Sequence, residues 1–128
     1  MLLSRLAFCL ALLAAVPCVA QGLSILEESP DHLRKYNECM NLARAEPLKA
    51  LPPAEKWHAQ GGGLAARHCV ATAMFGAGRY TQAAAQFEAI ARDMGKDRPG
   101  LRAELWAQAG QAFRAAKLSP RSSHRSAS

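Results

Sequence analysis

Apolar positions along this chain recur every three to four residues, not every two, and the strand-like alternation of Val, Ile and Thr is missing. Glycine and proline cut the pattern into segments. Ser29-Pro30-Asp31 predicts a first helix, with Ser29 as cap, proline at the first helical position and an acid in the first turn. Leu33, Tyr36, Met40 and Ala43 form its stripe, Cys39 and Leu42 lie beside it, and Pro47 ends it. Pro52-Pro53 predict a break and a second, weaker helix from about Pro53 to Gln60, carrying Ala54 and Trp57. Gly61-Gly62-Gly63 is a stop. A third helix, Leu64 to Gly76, is rich in small residues: Ala65, Ala66, Ala71 and Ala73. Gly78-Arg79-Tyr80 predicts a tight turn. The fourth helix, Thr81 to Met94, places Ala84, Phe87 and Ala91 on one stripe with Ala83 and Ile90 alongside. Gly95 to Asp97 breaks it, and Pro99 opens a fifth helix to Lys117, with Leu101, Leu105, Ala109 and Ala112 on its apolar side, joined by Trp106 and Phe113. The expectation is an all-α chain of about five helices.

Two stretches fall outside this pattern. Arg5, the apolar run Leu6–Val16, Pro17 and the small residues Cys18-Val19-Ala20 have the layout of a secretory signal cleaved after Ala20. The run is about 11 residues, against about 20 needed to span a bilayer. Residues 1–20 thus read as a signal peptide and 21–117 as one helical domain. Residues 118–128, Ser- and Arg-rich without apolar periodicity, read as a disordered tail. Export implies a periplasmic or secreted protein without stable membrane insertion.

Charge placement narrows the partners. Of sixteen Lys and Arg, Arg5 lies in the leader and Lys117, Arg121 and Arg125 follow Ala116, which leaves twelve opposite all ten Asp and Glu. The helical part is near neutral, so it presents no basic face for nucleic acid.

Two cysteines survive cleavage, Cys39 and Cys69. An isolated pair in an oxidising compartment reads as a disulfide; two buried free thiols is the alternative, and thiol chemistry would need a CxxC spacing or a basic setting. The histidines, His32, His58, His68 and His124, show no zinc-ligand spacing beyond the mixed trio His68, Cys69 and Thr72. The triple glycine could offer amides to an anion, but no Lys-Ser/Thr follows it, so it reads as a flexible connector. No paired carboxylates and no nucleophile-elbow serine stand out. The chain reads as a non-enzyme without metal or other cofactor.

The third and fourth helices carry a recognisable spacing. Ala71, Gly78, Tyr80, Ala83 and Phe87 fall where the tetratricopeptide repeat has a small residue in its first helix, Gly and an aromatic at the turn, then Ala and an aromatic in its second. Small residues let antiparallel helices approach, and the aromatics fill the space between them. Trp106, Gly110 and Phe113 resemble the Trp, Gly and Tyr positions of a following repeat. The offset from Ala71 to Gly110 is 39 residues, against about 34 in the repeat, the excess falling in the Gly95–Gly100 loop. The chain thus resembles small exported tetratricopeptide proteins over about residues 63–116, and departs from them in having no second helix after Ala116.

That resemblance implies antiparallel helical hairpins in a short right-handed superhelix, and a protein that binds other proteins as a scaffold or adaptor in the cell envelope. The concave face lined by first helices would include Arg67, Val70, Met74, Arg102, Gln108 and Gln111. The missing terminal helix implies an alternative: a self-associating or fragment-like chain whose open end, around Trp106 and Phe113, makes a homodimer or has no binding role of its own.

Overall fold

Proline occupies the start of three of the five helices, where its missing N–H has no helical partner to lose. The computed structural model describes residues 29–119; the signal-like segment, residues 21–28 and the tail beyond Ser119 lie outside them. The described residues form α1 (Pro30–Ala45), α2 (Pro47–Ala59), α3 (Gly63–Gly76), α4 (Tyr80–Asp93) and α5 (Pro99–Leu118), with no strand among them. The protein is all-α over this span.

Two local expectations are corrected. Ser29 makes no side-chain cap; its carbonyl accepts the His32 and Leu33 amides at 2.8 and 3.3 Å instead. The prolines at 52 and 53 do not open α2 but sit inside it. Each lacks the amide that would bond one turn back, a loss of the order of 3 kcal/mol in a helix interior. Both face solvent, while Ala50, Leu51, Ala54 and Trp57 on the opposite face are buried. Burial along that unbroken stripe holds the helix through its defect.

The triple glycine is an ordered turn rather than a flexible connector. The Gly62 amide donates to the Trp57 carbonyl at 2.9 Å, and a Cβ on Gly62 would come within 2.7 Å of the Trp57 indole nitrogen. Only a residue without a side chain lets α3 start this close to the end of α2. Gly78, at φ +77°, makes the α3–α4 turn in backbone space that favours glycine.

Each helix packs on the next, and α1 also packs on α3. α3 is the shared element. Cys69, Val70 and Ala73 join Met40, Ala43, Ala50, Leu51 and Ala54 in one core. Ala71 joins Ala83, Ala84, Phe87, Ile90, Ala91, Leu105, Ala109 and Ala112 in the second, and Met74 touches both. Alanine-rich flanks let α3 be sandwiched on two sides, since small side chains allow close interhelical approach.

Cross-helix contacts fix the direction of each helix. Tyr36 meets His68, Cys39 bonds Cys69, and the Ala43 carbonyl lies against Gly76, so α1 and α3 advance together. Arg67 pairs with Asp93 and Phe75 stacks edge-on with Tyr80, so α4 runs opposite to α3. A five-residue link then reverses the chain into α5, which packs back along α4. α1, α3 and α5 therefore point the same way.

Candidate functional site

The three parallel helices line a groove of about 380 Å³. α1 supplies Tyr36, Met40 and Arg44, which share one face at four-residue steps. α3 supplies His68, Thr72 and Phe75 as its middle; α5 supplies Leu101, Glu104, Gln108 and Gln111; Phe87 of α4 reaches through from behind. Even-numbered helices contribute almost nothing to it.

A chain of hydrogen bonds crosses the groove. The Tyr36 hydroxyl and the His68 Nδ1 are 2.8 Å apart, and the His68 Nε2 lies 3.0 Å from the Gln108 Oε1. The Gln108 Nε2 donates to the Glu104 carboxylate at 3.3 Å. Since a carbonyl oxygen only accepts, the imidazole proton sits on Nε2, and Nδ1 accepts from Tyr36. Donation then runs one way, from α1 through α3 to α5, and ends on a carboxylate. Thr72 donates back to the His68 carbonyl at 2.9 Å, and the Phe87 ring meets the imidazole edge-on at 5.9 Å.

This environment favours neutral groups. Burial lowers the His68 pKa from its ordinary 6.5, assisted by the Arg44 charge and opposed by the Gln108 bond and Glu104. Burial likewise raises the Tyr36 hydroxyl above its ordinary 10.0, with Glu104 adding to the rise and Arg44 opposing it. A histidine whose folded pKa is depressed leaves the unfolded chain binding more protons below pH 6.5. The His68 contribution to stability is thus complete above the unfolded value and is lost as pH falls through the folded one. The melting temperature is expected to drop between pH 7 and pH 5, and His68→Gln to remove part of that slope. Parallel slopes for the two proteins across this window would show that His68 does not titrate there.

The disulfide ties one wall to the middle of the site. Cys39 of α1 and Cys69 of α3 are bonded, with Cα atoms 6.1 Å apart. Cys69 is wholly buried, which removes it from the mixed trio with His68 and Thr72. Among the described residues no three His, Cys, Asp or Glu side chains cluster as a metal site would need.

Of the residues expected on the concave face, Gln108 and Gln111 line the groove. Val70 does not: it is 7 % exposed and packs in the core against α1 and α2. Met74 lies half-buried against both cores. Arg67 is held at 2.6 Å by Asp93 on α4, and Arg102 donates to the Ala91 carbonyl at 3.2 Å, so both tie α4 to its neighbours. A 100° step per residue separates Val70 and Met74 from the groove positions His68, Thr72 and Phe75.

The repeat-like positions divide. Ala71, Ala83 and Phe87 are buried together, and Tyr80 packs on Phe75 at the Gly78 turn. Trp106 and Phe113, expected beside the α5 core stripe, are 39 % and 41 % exposed, and a Cβ on Gly110 would meet nothing within 4 Å. The stripe Leu105, Ala109 and Ala112 is buried on α4, and Trp106 and Phe113, one residue further on, are turned outward. Trp106 lies 5.6 Å from the Arg92 guanidinium.

The sequence pattern does not single out Tyr36, Met40, Arg44, Thr72, Phe75, Leu101 and Glu104 as groove residues. A usable signal exists: His68 and Tyr36 are polar rings set on faces otherwise rich in apolar and small residues, and a half-buried polar group needs a partner.

Searched against family models, curated proteins and solved structures, the chain matches none of them.

Proposed function

We propose that this is an exported, tetratricopeptide-like helical-repeat protein, an adaptor or scaffold in the periplasm or secreted, which binds a partner protein through the groove of α1, α3 and α5. One observation carries the reading: the three alternate helices run parallel and line a single groove, while α2 and α4 back them. Such a face supports a binding role, with apolar surface from half-buried Phe75 and Leu101 and polar groups from every wall. Both His68 ring nitrogens are engaged by Tyr36 and Gln108, which favours a structural polar network over a base free to take a substrate proton. The reading involves neither catalysis nor nucleic acid.

Two further observations support the compartment. The Cys39–Cys69 bond suits an oxidising environment, and among the described residues no helix is long and apolar enough to cross a membrane. The exported protein is expected to have an intact mass beginning at Gln21, with both cysteines blocked to alkylation until reduced.

The binding reading is tested by a photo-crosslinking residue at Gln111 in the groove and, as control, at Gln82 on the exposed side of α4. A discrete adduct with an envelope protein from position 111, absent from 82, is the expected result. Equal labelling from both positions, or none from either, would remove the groove from consideration.

Self-association through α5 is the second reading, favoured by the exposure of Trp106 and Phe113 on one face. If it holds, Trp106→Asp converts a sedimenting dimer to monomer. A wild-type protein that stays monomeric at high micromolar concentration eliminates this reading.

A further inference from the structure

The bonded trio Tyr36, His68 and Gln108 marks one level shared by three parallel helices, and the groove's two charged side chains are displaced from it in opposite directions. Arg44 stands two turns beyond Tyr36 towards the end of α1. Glu104 stands one turn before Gln108 towards the start of α5. At 1.5 Å per residue their backbone levels are about 18 Å apart along the helix axes. Both line the groove and both are exposed. Among the described residues Arg44 has no ion-pair partner, and the Glu104 carboxylate accepts only from the Gln108 amide. Their fields meet in the middle, where Tyr36 and His68 feel both charges. The groove is electrically dipolar, basic at one end and acidic at the other.

Between these ends the lining is neutral. Half-buried Phe75 and Leu101 supply apolar surface, backed by the buried Met40 and Phe87, and the exposed Gln111 amide has no protein partner among the described residues. A free primary amide matches the unpaired N–H and C=O of an extended backbone, which a helix has already used internally.

We propose that the groove takes an extended peptide segment with a cationic side chain against Glu104, an anionic one against Arg44, and small or apolar residues between. At about 3.3 Å per residue the charged positions are five or six residues apart. This proposal rests on the reading of the groove as the protein-binding face, and names the chemistry that it selects.

The test uses acetylated and amidated peptides with an Ala/Leu centre, carrying Lys and Glu at the ends, Lys at both, or Glu at both. Affinity is read by NMR titration of the full mature protein, following the His68, Thr72 and Gln108 amides. Wild type is expected to bind the Lys/Glu peptide roughly tenfold more tightly than either like-charged one, the scale of exchanging attraction for repulsion at one partly screened pair. Arg44→Glu leaves two acidic ends and is expected to prefer the Lys/Lys peptide. Glu104→Arg leaves two basic ends and is expected to prefer Glu/Glu. Both positions are exposed, and circular dichroism verifies that each variant stays folded.

Peptides that shift the groove amides equally whatever their charges would overturn the dipolar selection while leaving the groove as a binding face. Tighter binding of a helix-stapled peptide would overturn the extended conformation. The absence of any groove shift at millimolar peptide would overturn both the proposal and the reading beneath it.

Discussion

Phe87→Ala is expected to cost about 3–5 kcal/mol of unfolding free energy, the range for deleting a buried aromatic ring and leaving a cavity. Phe87 is 3 % exposed and sits where α3, α4 and α5 meet, among Ala71, Ala83, Ala84 and Leu105. Its neighbours are mostly alanines, too short to collapse into the space, so the loss falls towards the upper end. A domain of this size is stable by only about 5–15 kcal/mol in total, so the variant loses a large part of its margin. The ring also packs on the His68 imidazole at 5.9 Å, and its removal loosens the floor of the groove. Denaturant unfolding followed by circular dichroism measures the change. Trp106→Ala, on the outward face of the next helix, serves as the contrast and is expected to cost about 1 kcal/mol or less. Similar values for the two aromatics would contradict the division between core and surface described for α4 and α5.

Breaking the Cys39–Cys69 bond has the next largest effect. The bond closes a loop of 30 residues, and the chain-entropy estimate for such a loop is about 3–4 kcal/mol. At about 4–8 °C per kcal/mol for a domain this small, the melting temperature falls by roughly 12–30 °C. The variant Cys39→Ser with Cys69→Ala avoids placing a hydroxyl at the fully buried position 69. The consequence is also local. α1 packs chiefly on α2 and α3, and the bond fastens it directly beside the Tyr36–His68 contact. Hydrogen exchange in α1 should accelerate more than in α4 when the bond is absent. Identical melts for oxidised and reduced protein would mean that packing alone holds α1, and that the disulfide contributes nothing to the groove wall.

How far these features can be read from the residues differs from helix to helix. The α4 stripe of Ala83, Ala84, Phe87, Ile90 and Ala91 is legible in full, because one amphipathic face with a clean period leaves a single way to bury it. α2 is legible only in part. Local rules place a break at Pro52-Pro53, and they are overridden by the burial of Ala50 and Leu51 on the opposite face. α5 misleads at Trp106 and Phe113, since large aromatics suggest core and composition alone does not say which side of a helix its neighbour covers.

The groove shows the same limit more sharply. Gln108 and Gln111 follow from analogy with a repeat's first helices, but Val70, expected on the same ground, faces the other way. Tyr36, His68 and Gln108 are separated by 32 and 40 residues, and no local pattern relates them. By itself the sequence determined the helices and most of their ends, because periodicity and the glycine and proline breaks act over one or two turns of chain. It also named the residues able to form the disulfide, because only two cysteines follow the leader. Only the tertiary structure decided which face of each helix looks into the groove and which polar groups meet there. Those depend on the directions and rotations of α1, α3 and α5 about their axes, which are set by packing between residues distant in the chain.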